Sequence, residues 1–207
     1  MSTTLFKRNY SLAIRLWHWL TAVVIFCLLL TVLFRNTFLN SSSNSKIIFS
    51  ELQKSGTTIS DDLALSIAKS IRQPFWEWHY YLGFTLFTLA LLRASVFFLQ
   101  HNKTMNLRVL YNLPKEDQKD AKHYLMVRGV YTLFYLLLTI ITLTGLLIYF
   151  KVDIGLTKAT SGVIKTIHEY TMWGIIPFIV FHIIGVVLAE KNIKNKGIVS
   201  NMINGGK

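Results

Sequence analysis

The chain has 207 residues, of which 52% are hydrophobic, 14% aromatic and only 15% charged. This composition is typical of a polytopic membrane protein and disfavours a soluble helical domain, whose helices would show polar faces at helical spacing. Basic membrane flanks and attraction to anionic lipid explain the net charge of +12, and no nucleic-acid-binding motif accompanies it.

Four apolar segments are long enough to cross a bilayer core, which takes about 20 helical residues. Three carry no charge, and the second carries one, Arg93. The first segment is too long for the apolar core of a signal peptide and lacks a small-residue cleavage motif, so we expect a retained helix. The sequence predicts a single all-α membrane domain, a four-transmembrane-helix bundle with helices at about 12–35, 76–100, 126–150 and 168–190.

The connection 36–74 is long for a helix pair. Its Ser/Asn-rich part, 40–44, should be irregular, and a short amphipathic helix is predicted at about 60–72. Ser60 would cap that helix, and Pro74 would end it before the next span. Its apolar stripe (Leu63, Ile67 and Ile71) suits three roles equally: resting on lipid, covering a cofactor, or docking a partner.

The basic residues divide unequally between the two sides of the membrane. With four spans, the amino terminus, the connection between the second and third helices, and the tail share one side, which holds most of the 22 Lys and Arg residues. The positive-inside rule then puts both termini in the cytoplasm. We expect a multi-pass protein of the bacterial cytoplasmic (inner) membrane.

Four histidines lie near the ends of these segments at two matched depths. His182 follows His168 by 14 residues, which in an α-helix rise about 21 Å and return both side chains to nearly the same face. His18 lies near the start of the first segment, at the depth of His182 on the cytoplasmic side. His79 begins the second segment, at the depth of His168 on the other side. The predicted pairs are His18 with His182 and His79 with His168.

Each pair can ligate one haem iron through two imidazoles. A single histidine inside a membrane helix is more often an interhelical hydrogen-bonding group than a ligand. Four histidines at two matched depths favour bis-histidine ligation, which leaves no coordination position for oxygen and suits electron transfer. The sequence thus predicts two haem b groups, with the four histidines as metal ligands.

Two arginines are further candidates for cofactor binding. Arg93 follows His79 by 14 residues, on the same helix face and at the depth of the inner haem. It could pair with an inner haem propionate or a quinone oxygen, or snorkel to the cytoplasmic surface. Arg15, one turn before His18, poses the same choice and favours propionate pairing.

These residues resemble the di-haem cytochrome b family that includes bacterial cytochrome b561 and the membrane subunits of nickel–iron hydrogenase and formate dehydrogenase. The resemblance rests on Arg-x-x-His-Trp at 15–19, His79 followed by Gly83, Ile-His-Glu at 167–169 with a second histidine 14 residues on, and the tail 196–207. It covers nearly the whole chain except 36–73. The family implies a four-helix bundle with two b haems and a quinone near the inner haem.

The expected function is electron transfer between a quinone pool and a redox partner on the extra-cytoplasmic side. The expected partners within the membrane are lipid, quinone or quinol, and a second copy of the chain. At the outer face the expected partner is a hydrogenase, a c-type cytochrome or another redox protein. The long connection departs from the family, so the resemblance does not identify that protein. One alternative is a stand-alone quinone reductase with a small diffusible electron donor. Another is a scaffold or transporter whose histidines handle protons or metal.

Overall fold

The computed structural model describes residues 10–99, 115–191 and 197–205. Every regular element in these ranges is an α-helix, and the all-α prediction is confirmed for them. In chain order the helices are α1 (Leu12–Asn36), α2 (Ser41–Lys54), α3 (Asp61–Leu99), α4 (Lys115–Tyr149), α5 (Lys158–Lys191) and α6 (Ile198–Ile203).

Three helices within the described ranges are long and apolar enough to cross a membrane: Leu12–Asn36, Leu125–Tyr149 and Lys158–Lys191. Each leaves large apolar side chains exposed, such as Phe26, Leu136 and Phe181, as expected of helices in contact with lipid. The fourth predicted span is the second half of α3, which contains Arg93. The count of four spans therefore stays a prediction.

The predicted break at Pro74 is wrong, because α3 continues through it from Asp61 to Leu99. A proline within a helix removes one backbone hydrogen bond, and long membrane helices tolerate that loss where other groups satisfy the freed carbonyl. Ser60 does cap this helix, since its hydroxyl accepts from the Leu63 amide at 3.2 Å. Ala64 and Ala68 are buried, whereas Leu63 of the predicted stripe is about half exposed.

The Ser/Asn-rich segment is helical rather than irregular. The Asn40 side chain accepts hydrogen bonds from the amides of Ser42 and Ser43, and α2 starts directly after it. Asparagine and serine disfavour helix interiors, but an asparagine at the N-cap satisfies amides that would otherwise lack partners. The prediction failed because it considered composition and missed the cap.

Helices α4 and α5 begin about ten residues before the predicted starts at 126 and 168. Hydropathy marks only the apolar part of a helix, whereas the backbone hydrogen bonds continue through polar residues. Thr157 caps α5 by accepting from the Thr160 amide at 3.2 Å, and Lys165 pairs with Glu169 one turn later at 3.7 Å. His168 therefore lies inside α5 rather than at its start.

The chain divides into two compact units. The first comprises Met1–Trp19 and Phe87–Lys207, and the second comprises Leu20–Leu86. Within the first unit, α4 packs along α5 and α5 contacts α6. At Gly174 a Cβ would lie 3.4 Å from a Leu137 methyl group, in ordinary van der Waals contact, so α4 and α5 lie close together at this point.

Candidate functional site

The first unit brings together His18 of α1 and His182 of α5. Their ring centroids are 6.1 Å apart, and the ring planes make an angle of 61°. A ligating imidazole nitrogen lies about 2 Å from its metal and about 1 Å from its own ring centroid, so two imidazoles on opposite sides of one iron have centroids about 6 Å apart. The separation of this pair fits a bis-histidine haem.

The His182 ring packs against a stack of two phenylalanine side chains. The His182 ring stacks on Phe178 of the preceding turn, with centroids 5.9 Å apart and planes within 9°. Phe178 in turn stacks on Phe134 of α4 at 4.8 Å. Offset aromatic stacks of this kind restrict ring rotation, so the orientation of His182 depends on the packing of α4 against α5.

Arg15 lies one turn before His18 and has a buried atom that lacks a partner. Its Nη1 donates to the carbonyl of Ile203 at 2.9 Å. Its Nε is buried and has no hydrogen-bond acceptor among the described residues. A buried donor without a partner costs about 1–3 kcal/mol, and a carboxylate oxygen at that point would remove the cost. The donor thus fits a haem propionate beside His18.

Arg93 lies in an aromatic cluster of the first unit. Its Nε donates to the Tyr135 hydroxyl at 3.0 Å, and its guanidinium lies over the rings of Tyr135 and Trp17 at 5.5 and 5.8 Å. The Trp17 indole N–H donates to the Leu89 carbonyl at 2.8 Å. Neither of the two ion pairs among the described residues includes Arg93. The positive charge of Arg93 therefore lies against the rings of Trp17 and Tyr135, and the Tyr135 hydroxyl accepts a hydrogen bond from it.

His168, also in the first unit, is held against α4. Its Nδ1 lies 3.0 Å from the Thr144 hydroxyl oxygen, and that hydroxyl also lies 2.7 Å from the Ile140 carbonyl. A Cβ on Gly145 would lie 3.3 Å from Cε1 of the imidazole. The close approach of this ring to the α4 backbone therefore favours glycine at 145.

His79 has the same kind of partner within the second unit. Its Nδ1 lies 2.7 Å from the Thr31 hydroxyl oxygen, which also lies 2.6 Å from the Leu28 carbonyl. Its ring stacks on Trp76 at 5.0 Å with planes within 7°, and the Arg35 guanidinium lies over that indole at 4.7 Å. Stacking and a hydrogen bond together fix the plane of the imidazole.

These contacts bear on the tautomer of the two histidines. A threonine hydroxyl that donates its single hydrogen to a carbonyl of its own helix has only its oxygen left for the imidazole, and that oxygen accepts the hydrogen on Nδ1. In that tautomer Nε2 carries the lone pair that ligation of a metal requires. Neither Thr31 nor Thr144 was predicted from the sequence. Their signal is a hydroxyl inside an otherwise apolar helix of a histidine-bearing bundle.

Within the described ranges, no group of three or more His, Cys, Asp or Glu side chains could hold a metal ion. A bis-histidine haem does not need such a group, because the porphyrin supplies four of the six ligand atoms. The separation of His18 and His182 is therefore the geometry that bears on iron binding.

The chain matches a known protein family. A family model described as prokaryotic cytochrome b561 covers residues 9–205, in agreement with the resemblance drawn from the histidine motifs. Searches of curated proteins and of solved structures returned no match.

Proposed function

Because the chain belongs to the prokaryotic cytochrome b561 family, and is therefore a membrane b-type cytochrome that transfers electrons, we propose that it connects a quinone pool to a redox partner on the extra-cytoplasmic side. The observation that carries this proposal is the 6.1 Å separation of the His18 and His182 rings, which matches ligation of one iron from both sides. In this proposal the inner haem lies between them.

The proposed ligands of the outer haem are His79 and His168. Their matched depths in the sequence support this pair, and so does their shared hydrogen-bonding pattern, since each Nδ1 contacts a threonine hydroxyl. We further propose that the apolar half of α3 is the fourth span, with both termini in the cytoplasm of a bacterium. The excess of Lys and Arg on that side supports this orientation.

The role of the protein in electron transfer would be to hold the haems and to orient them. When bound, tetrapyrrole and iron supply reversible one-electron chemistry. Two histidines would hold each iron and leave no coordination position for oxygen. Helix α5 is continuous from Lys158 to Lys191, so it would carry one ligand of each proposed pair, about 21 Å apart along its axis. That spacing would put one redox centre near each side of the membrane.

Arg15 and Arg93 complete the proposed inner site. The buried Nε of Arg15 would donate to a haem propionate. Arg93, already held by Tyr135 and Trp17, would present its remaining N–H donors to a propionate or a quinone oxygen.

The Arg93→Gln variant should distinguish these two ligands, because glutamine keeps a polar amide but loses the charge. A lower reduction potential of the inner haem with unchanged quinol KM would identify a propionate partner, since the positive charge favours the reduced, less positive haem. A raised quinol KM with unchanged potential would identify the quinone. If both quantities equal those of the wild type, Arg93 has neither role.

The Thr31→Val and Thr144→Val variants should each raise the reduction potential of the outer haem. Without the hydroxyl that accepts from Nδ1–H, the imidazole is a weaker base and stabilises ferric iron less. We expect some tens of millivolts, since a tenfold change in the relative stability of the two iron states corresponds to about 59 mV. A redox titration of the purified protein measures the shift.

Thr139→Val is the matched control for these variants, because Thr139 lies in the same helix as Thr144 but is exposed. Its hydroxyl donates to the Tyr135 carbonyl of that helix at 2.8 Å. This variant should leave both potentials unchanged. A shift confined to the inner haem in Thr31→Val or Thr144→Val would contradict the assignment of the outer ligands.

The proposed function is tested with purified protein in sealed vesicles, using a quinol in the bilayer and a membrane-impermeant ferric acceptor on the extra-cytoplasmic side. We expect the quinol to reduce the haems and the acceptor to reoxidise them, with loss of this flow in a His168→Ala variant. Reduction of the acceptor that persists in that variant would contradict transfer through the outer haem. Steady turnover with a small diffusible reductant in place of an outer redox protein would instead favour the stand-alone quinone reductase.

A further inference from the structure

The C-terminal helix α6 contacts α1 on both sides of the inner ligand His18. The Arg15 side chain, one turn before His18, donates to the Ile203 carbonyl at 2.9 Å. The Trp19 indole, directly after His18, donates to the Met202 carbonyl at 3.1 Å. The Trp19 ring also meets the His18 ring edge-on, with centroids 5.4 Å apart. Two hydrogen bonds thus tie the turn that carries His18 to the end of α6.

The other end of α6 is bound to the helix that carries His182. Glu190, two turns after His182 in α5, accepts hydrogen bonds from the amides of Gly197 and Val199 at 2.9 and 3.1 Å. A carboxylate that accepts two backbone N–H groups at the start of a helix is a strong, charge-assisted contact. Residues 197–205 therefore connect the His182 helix to the His18 helix, and we call this segment the tail strap.

Gly205 is the last residue of the tail strap and lies next to the Arg15 guanidinium. Its φ is +81°, a backbone conformation that favours glycine, and a Cβ there would lie 3.3 Å from Cζ of Arg15 and 3.4 Å from both terminal nitrogens. A side chain at position 205 would therefore press on the Arg15 guanidinium, which would have to move by a few tenths of an ångström next to its hydrogen bond with the Ile203 carbonyl.

We propose that the tail strap is a positioning element for the inner haem, which sets the separation and relative rotation of His18 and His182 through Arg15 and Trp19. This inference rests on the proposed function, because it assigns a role at the same haem. Groups next to a metal's ligands fix ring orientation and tune the metal even though they do not touch it. The strap should therefore control the reduction potential and electronic spectrum of the inner iron, and leave the outer iron unchanged.

The first test compares Gly205→Ala with Gly56→Ala in the full-length haem-loaded protein. Both glycines have a φ of +81°, but a Cβ at position 56 meets nothing within 4 Å, so the two variants share the backbone strain and differ in the contact with Arg15. We expect Gly205→Ala to shift the reduction potential and the low-spin EPR signal of the inner haem only. Gly56→Ala should leave both haems unchanged.

A second pair of variants avoids any backbone change. Trp19→Phe removes the N–H that donates to Met202 and keeps an aromatic ring beside His18. Trp173→Phe makes the same change at an indole that is 64% exposed, where no effect is expected. A shift of the inner haem in Trp19→Phe alone supports the strap.

Two outcomes would overturn the inference. If Gly205→Ala and Trp19→Phe leave the inner haem unchanged, the strap does not position it; if they alter both haems equally, the strap only stabilises the bundle. Either outcome leaves the proposed function intact, provided that the wild-type protein binds two haems. A wild-type protein without two haems would contradict the proposed function itself.

Discussion

The His182→Ala variant is expected to bind one haem per chain instead of two, and the haem it loses is the inner one. Alanine removes one of the two proposed ligands, and His18 alone would leave an open position on the iron. The substitution also removes the ring that stacks on Phe178, so the packing beside the inner site would change too. Haem per chain and a redox titration measure the result.

His18→Ala is the control for that experiment. Because the two rings are 6.1 Å apart across one proposed iron, both variants should lose the same haem and keep the other at its wild-type potential. Loss of different haems in the two variants would contradict the inner pair.

The His168→Ala variant is expected to lose the outer haem and to keep the inner haem at its wild-type potential. Quinol should still reduce the remaining haem, because the inner site is intact, whereas electron flow to an acceptor on the outer side should stop. The loss should be nearly complete rather than partial, since alanine has no nitrogen at the position where the His168 imidazole contacts Thr144. The spectrum and the vesicle assay measure the two effects separately.

The His79→Ala variant tests the second proposed ligand of the outer haem. It should lose the same haem as His168→Ala, although His79 belongs to the other compact unit. If His79→Ala instead loses the haem that His18 holds, the outer assignment is wrong while the family membership stands.

The sequence was sufficient for the features that follow from periodicity. The 14-residue spacing of His168 and His182 identified two side chains on one helix face, and α5 is indeed one continuous helix through both. The family resemblance followed from the same histidines. The cap at Ser60 was also predicted correctly, because an N-cap depends on residues within one turn.

The predictions that failed concern helix boundaries. Apolar content does not show that α3 continues through Pro74 or that α2 exists. Backbone hydrogen bonding decides both, and it depends on caps and on neighbouring segments rather than on hydropathy.

The contacts that were missed join residues far apart in the sequence. Thr144 is 24 residues from His168, and Arg15 is 188 residues from Ile203. No local pattern indicates which threonine meets which imidazole, or that the tail returns to the first helix. Nor does any local pattern indicate that Arg93 contacts the Tyr135 phenol and the Trp17 indole.

The central claim, that four histidines hold two haems in one chain, is tested most directly by haem quantification and a reduced-minus-oxidised spectrum of the purified full-length protein. We expect two low-spin b haems per chain, resolved as two components in a redox titration. A folded, colourless preparation, or one haem per chain at saturating haem supply, would contradict it.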